Sequence, residues 1–249
     1  MKLYKLLTGI LVISCFASCL RKNPANLWFY THSIDSNAIN DTLLTPSTFL
    51  NLERDGTYTR EFGSFDYGTW KYKDDALLLT NAANTTTTLP LKHVDAEELQ
   101  LVTGKGVTAN FDAQTYQSKG ANNPFSLANN RWRIRATHKE TEQELKNRLI
   151  NHCQFWASYF TWAFENKLAN VDVRSTPTLI KIYGNGFGLK PYEELPAAWR
   201  SYFFDAEDCK IANNLMYEVF QYANISWAHT DNKYKMFIGA FQQLKQNIP

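Results

Sequence analysis

The chain predicts an α+β protein, with an N-terminal antiparallel β-barrel or sandwich and a mainly helical C-terminal domain carrying a small β-hairpin sheet. Three observations carry this. Between Ser47 and Val102, short runs of β-branched, aromatic and leucine residues recur between turn signals at Asp55-Gly56, Asp74-Asp75 and Asp95-Ala96-Glu97, as in an antiparallel meander. From about residue 138 onward the apolar residues recur at three-four spacing instead. Between these halves, Gly104 to Asn130 is polar and rich in Gly, Asn and Ser, which marks a domain boundary near residues 118–130.

A chain of 249 residues holds one large or two small domains and buries a real core. Charged residues are 20% and aromatics 14%, a globular composition rather than a disordered one. The net charge is +2, and Lys2 and Lys5 supply all of it, so a chain without them is neutral. That balance argues against nucleic acid as a partner.

Residues 1–18 read as a signal peptide, with Lys2 and Lys5 at its basic end and an apolar run too short to span a membrane. Cys19 follows Phe16-Ala17-Ser18 and resembles the acylated cysteine of a bacterial lipobox. Cys15, after Val12-Ile13-Ser14, is the second choice, because cleavage before it leaves an unusually short signal. The plainer alternative is an ordinary secretory signal with an incidental cysteine. Acyl chains add about 0.8 kcal/mol per buried methylene, so several would hold the protein stably to the membrane. By resemblance to bacterial sorting rules, Leu20 after Cys19 implies the outer membrane, periplasmic or surface-facing. Residues 19–26 are then a lipidated tether.

The β-domain is expected over residues 27–117. Leu27-Trp28-Phe29-Tyr30 reads as its first strand. The Asx-rich loop from Ser33 to Pro46 lacks the spacing of a calcium loop, with Ile39 at the fifth position and no glycine at the sixth. Asp55-Gly56 fits a two-residue hairpin turn. Gly68-Thr69-Trp70-Lys71-Tyr72 sets Trp70 and Tyr72 on one face; Leu77 and Leu79, Leu89 and Leu91, and Leu99 and Leu101 pair likewise. This order of D-G-T-Y, G-T-W, L-L-L-T and paired leucines resembles the lipocalin-like domains of bacterial lipoproteins, over about residues 27–102. The glycine usual before the first-strand tryptophan is absent from Asn26-Leu27-Trp28. The resemblance implies a barrel that presents a small apolar or amphipathic ligand site. Trp70, Tyr72 and Trp28 are its candidate lining, against the plainer reading that they fill the core.

The C-terminal domain is expected over residues 131–249. Arg131, Arg133 and Arg135 alternate with Trp132 and Ile134 as if on a strand. Their guanidinium groups, about 6–7 Å apart, are candidate anion contacts, or simply a solvated face. Thr137 and Glu140 fit a capping box opening a helix over about 138–168, whose second half is apolar nearly all round. Such a helix needs cover on both sides. Asn185-Gly186 within Thr178 to Tyr192 reads as a hairpin turn rather than a phosphate loop, since Lys190-Pro191-Tyr192 follows where a helix should open. With the Arg131 strand, that hairpin gives a three-stranded sheet. Pro196, Asp205 and Thr230 or Asp231 mark three further helix starts.

Reaction chemistry is hard to find. There is no G-x-S-x-G, H-E-x-x-H or paired C-x-x-C, so no catalytic residue, metal ligand or cofactor is expected. His32, His93, His138, His152 and His229 are scattered. Cys153 and Cys209, left in an oxidising compartment, are a candidate disulfide between two helices, worth about 2–4 kcal/mol, or two buried free thiols. The expectation is a non-enzymatic, lipid-anchored envelope protein. Its partners are the membrane, a small hydrophobic ligand, and a protein docked on the aromatic helical domain. The rivals are a structural component of an envelope assembly without a small ligand, and an enzyme with an unrecognised site between the two halves.

Overall fold

The computed structural model describes residues 23–34, 48–103, 106–114, 123–166, 191–195, 197–222 and 233–249. The lipobox cysteines Cys15 and Cys19, the Asx-rich loop, the Asn185-Gly186 hairpin, His229, Pro196 and the Thr230/Asp231 cap lie outside these residues.

Eight antiparallel strands form a closed up-and-down barrel of lipocalin-like form: β1 Leu27–Ser33, β2 Phe49–Leu52, β3 Thr57–Glu61, β4 Phe65–Lys73, β5 Ala76–Asn81, β6 Thr86–Val94, β7 Glu98–Val102 and β8 Thr108–Gln114. Each strand pairs with the next in sequence, and β8 closes onto β1 through Trp28↔Ala113 and Tyr30↔Phe111. Closure gives every strand a neighbour on both sides.

The turns follow local chemistry. Asp74 and Asp75 both take positive φ, 52° and 53°, and make the two-residue connection between β4 and β5. At the β2–β3 turn the expected two-residue form gives way to a four-residue loop, Glu53 to Gly56. Gly56 alone reaches positive φ there, while the Asp55 carboxylate accepts hydrogen bonds from the Thr57 amide (2.9 Å) and hydroxyl (2.7 Å). Gly68 is required by close approach: a Cβ there would stand 2.0 Å from the Thr80 carbonyl oxygen of β5.

Period-two alternation sorts the strands' side chains into two cores. Inside the barrel pack Trp28, Leu50, Leu52, Tyr58, Leu77, Leu79, Leu89, Val94, Leu99, Leu101, Ala109 and Phe111, all buried, with Trp70 and Tyr72 of β4 against them. All eight strands therefore contribute to the barrel interior. On the other face of β1 and β2, Leu27, Phe29 and Phe49 leave the barrel and join the helical core.

Among the described residues five α-helices follow: α1 Leu127–Asn130, α2 Glu142–Glu165, α3 Ala197–Ser201, α4 Ala206–Tyr222 and α5 Lys233–Asn247. Helix α2 is the spine. On one side Trp162 stacks on Phe29 of the barrel wall at 5.0 Å, and on the other Phe160 stacks on Phe237 of α5 at 5.0 Å. An all-round apolar helix is thus covered twice. Phe125, just before α1, sits fully buried between Phe29, Phe49, Tyr159 and Trp162. Its carbonyl accepts from the Thr59 hydroxyl and, at 3.5 Å, from Asn51 of the barrel.

Three expectations are corrected. Arg131–Arg133 is a 3-10 turn, not a strand. Asn130 folds the preceding chain back by donating to the Pro124 and Ser126 carbonyls, and the Ile134 amide closes the turn onto the Arg131 carbonyl at 3.0 Å. The capping box of α2 uses Thr141 and Glu144 rather than Thr137 and Glu140. Glu140 is engaged elsewhere, its carboxylate with Arg148 and its amide with Asp208. Cys153 and Cys209 are both free and buried, not bridged.

Candidate functional site

A cleft of about 510 Å³ opens where the β3–β4 hairpin meets the chain entering α2. Gly63, Ser64, Phe65, Asp66 and Tyr67 supply one wall; Arg133, Ile134 and Arg135 supply another, with Ala197, Ser201 and Tyr202 completing it.

The barrel wall is built by alternation. In β3, Tyr58 turns into the barrel core, while Thr59 and Glu61 reach the segments packed outside it. Across the ladder, Phe65 pairs with Glu61 and Tyr67 with Thr59, and the Phe65 and Tyr67 rings stack at 6.1 Å. Asp66 is committed to the barrel side. It accepts from Arg60 (2.8 Å to Nη2) and from the Tyr58 hydroxyl (2.9 Å), and its second oxygen accepts from the Tyr67 amide. Burial, and secondarily the bond to Asp66, pushes the Tyr58 phenol well above its usual range.

The opposite wall is pinned from α2. Arg148 donates to the carbonyls of Trp132 (2.6 Å) and Ile134 (3.0 Å) while pairing with Glu140 at 2.8 Å. The Ala136 amide donates to the Tyr202 carbonyl at 3.0 Å. The 3-10 turn and residues 134–136 after it, which belong to no helix or strand, are thereby fixed.

Arg133 is the best-held cation of the cleft. Its Nη1 donates to Glu61 at 2.6 Å, and its guanidinium lies 4.5 Å from the Phe155 ring centroid, 4.9 Å from Trp132 and 5.5 Å from Phe65. Its Nε, also buried, has no hydrogen-bond partner among the described residues. Burial raises the Glu61 carboxyl above its ordinary range, and Arg133 pulls it back. Arg135 is exposed and has no ion-pair partner among the described residues.

The residues singled out in the sequence separate. Arg133 and Arg135 meet in the cleft; Arg131 is exposed and does not line it. Trp28 is inside the barrel, its Nε1 donating to the Pro24 carbonyl at 2.8 Å. Trp70 donates to the Glu53 carbonyl, and the Tyr72 hydroxyl to Asp75, both at barrel turns away from the cleft. His93 pairs with Asp95 at 2.8 Å on the surface. His152 is buried among Trp132, Trp199 and Phe241, where loss of hydration pushes its pKa down to about 3. Burial likewise raises both cysteine thiols, Cys209 to about 12.

Sequence reasoning missed Glu61, Ser64, Phe65, Tyr67, Ser201 and Tyr202. The run Phe62-Gly63-Ser64-Phe65-Asp66-Tyr67 carries the usable signal, a glycine-containing turn flanked by aromatics at alternate positions. Among the described residues no cluster of His, Cys, Asp and Glu can hold a metal ion, and no helix is long and apolar enough to cross a membrane. No protein-family model, curated protein or solved structure matches the chain.

Proposed function

We propose that this chain is a non-enzymatic cell-envelope lipoprotein, anchored in the outer membrane through acylated Cys19, that serves as a binding module. The lipobox-like Phe16-Ala17-Ser18-Cys19 after a basic, apolar leader supports the anchor. The binding site is assigned to the cleft beside the barrel rather than to its interior. The observation that carries this is the contrast between the two spaces. Buried side chains from seven of the eight strands meet inside the barrel, with the half-buried Trp70 and Tyr72 of β4 against them, as small barrels fill themselves, while about 510 Å³ lies at the seam with the helices.

A binding role suits the cleft better than catalysis. Among the described residues its lining contains no histidine and no cysteine, and the one carboxylate there, Asp66, is held by Arg60 and Tyr58.

Two measurements test the reading. Metabolic labelling with palmitate should mark the protein and be lost in Cys19→Ser; labelling that persists, or is absent from the wild type, removes the anchor. A photo-crosslinker at position 67, in the cleft, should form an adduct in intact cells that one at position 88, on the exposed barrel surface, does not. Equal adducts from both positions, or none from either, remove the cleft as the binding site.

A further inference from the structure

We infer that the cleft takes a monoanionic organic carboxylate with a flat apolar body, gripped by Arg135 and laid against Phe65 and Tyr67; this rests on the cleft being the binding site. The argument begins with charge. Three guanidinium groups stand at or behind the cleft, and two are already answered: Arg60 by Asp66 at 2.8 Å and Arg133 by Glu61 at 2.6 Å. Arg135 alone lacks a counter-ion among the described residues. One uncompensated cation matches one negative charge. A phosphate dianion would need a second, and Arg133 has spent its Nη1 on Glu61.

Geometry narrows the class further. A guanidinium is a planar fork that pairs with a carboxylate through two parallel hydrogen bonds. The Arg148 clamp on the Trp132 and Ile134 carbonyls fixes the backbone from which Arg135 projects, so less freedom is lost on binding. Asp66 does not repel the ligand's charge, because both its oxygens are turned to donors within the barrel wall. The rest of the lining is apolar or hydroxylic. Phe65 stacked with Tyr67 offers a flat face, Ile134 and Ala197 add aliphatic surface, and Ser64 offers a hydroxyl. The volume, about 510 Å³, lies within the range of about 300–1,000 Å³ typical of small-molecule sites.

Calorimetric titration of the full-length protein in detergent tests this with three probes: N-acetylphenylalanine, its neutral primary amide, and inorganic phosphate. The carboxylate should bind, the amide at least about tenfold more weakly, and Arg135→Gln should remove about that tenfold for the carboxylate alone. Because Arg135 is exposed and has no ion-pair partner among the described residues, this variant leaves the core intact. Tyr67→Ala should weaken both organic probes. If carboxylate and amide bind equally and both need Tyr67, the charge preference is wrong while the cleft survives as a site. Phosphate binding more tightly than the carboxylate overturns the ligand class. Binding indifferent to both substitutions, or no binding by any probe at millimolar concentration, overturns the inference and the cleft reading together.

Discussion

Acid should unfold this protein from the inside, through His152. The imidazole is fully buried, with Trp132 at 4.5 Å and Trp199 at 5.0 Å between ring centroids, and its pKa is pushed from 6.5 down to about 3. A base depressed in this way binds its proton more readily in the unfolded chain. Its contribution to stability is therefore complete above pH 6.5 and is lost as pH falls toward 3. Linkage between those two values gives a loss of about 2 kcal/mol between pH 7 and pH 5, growing toward about 4–5 kcal/mol near pH 3. Asp95 and Glu144, both held down to about 2 by hydrogen bonds, lose their contributions only below the ordinary carboxylate range, so they do not cloud the upper window. Glu61 acts with the opposite sign, since its raised pKa lets the folded state gain a proton first as pH falls. The comparison is therefore wild type against His152→Phe, which share Glu61. Denaturant unfolding at pH 7, 6 and 5 should show wild type losing about 2 kcal/mol more than the variant. Parallel pH curves would refute the reasoning. Should the variant fail to fold, imidazole resonances of the wild type decide instead: a His152 charged at pH 5 in the native state refutes it equally.

Other consequences follow from single contacts. Gly68→Ala should cost about 1–3 kcal/mol by denaturant unfolding, because the new Cβ meets the β5 backbone at Thr80 and Asn81 rather than a movable side chain. Arg133→Leu should cost about 3–5 kcal/mol by leaving Glu61 without its partner, and Arg133→Leu with Glu61→Leu should recover most of that in a double-mutant cycle. Thr141→Ala should cost about 1 kcal/mol while Thr137→Ala costs less than half of that, which separates the two capping-box registers. A thiol reagent should find Cys153 and Cys209 unreactive in the native protein and both titratable after unfolding without reductant; neither titrating until reductant is added would mean a bridge between them.

The barrel was legible because its signal is local. Turn residues such as Asp74-Asp75 and paired leucines such as Leu77 and Leu79 each act within a few positions, and period two then decides which face they take. The same rule predicted the paired face of Trp70 and Tyr72. It could not say that Phe29 and Phe49 would face helices instead of water, because an outward aromatic looks alike in either setting until its cover is known. Arg131 to Arg135 failed for a related reason. Alternation of arginine with Trp132 and Ile134 satisfies a strand pattern, yet Asn130 folding onto Pro124 and Ser126, and Arg148 gripping two carbonyls from a distant helix, override it. The cleft exists only because these long-range bonds bring Arg133 and Arg135 against a hairpin some 70 positions earlier, with Glu61 as the counter-charge. No window of the sequence holds both walls. What the sequence does hold is an asymmetry, two arginines two residues apart in one segment and an outward glutamate in another, so that Arg133 is answered by Glu61 while Arg135 has no counter-ion among the described residues.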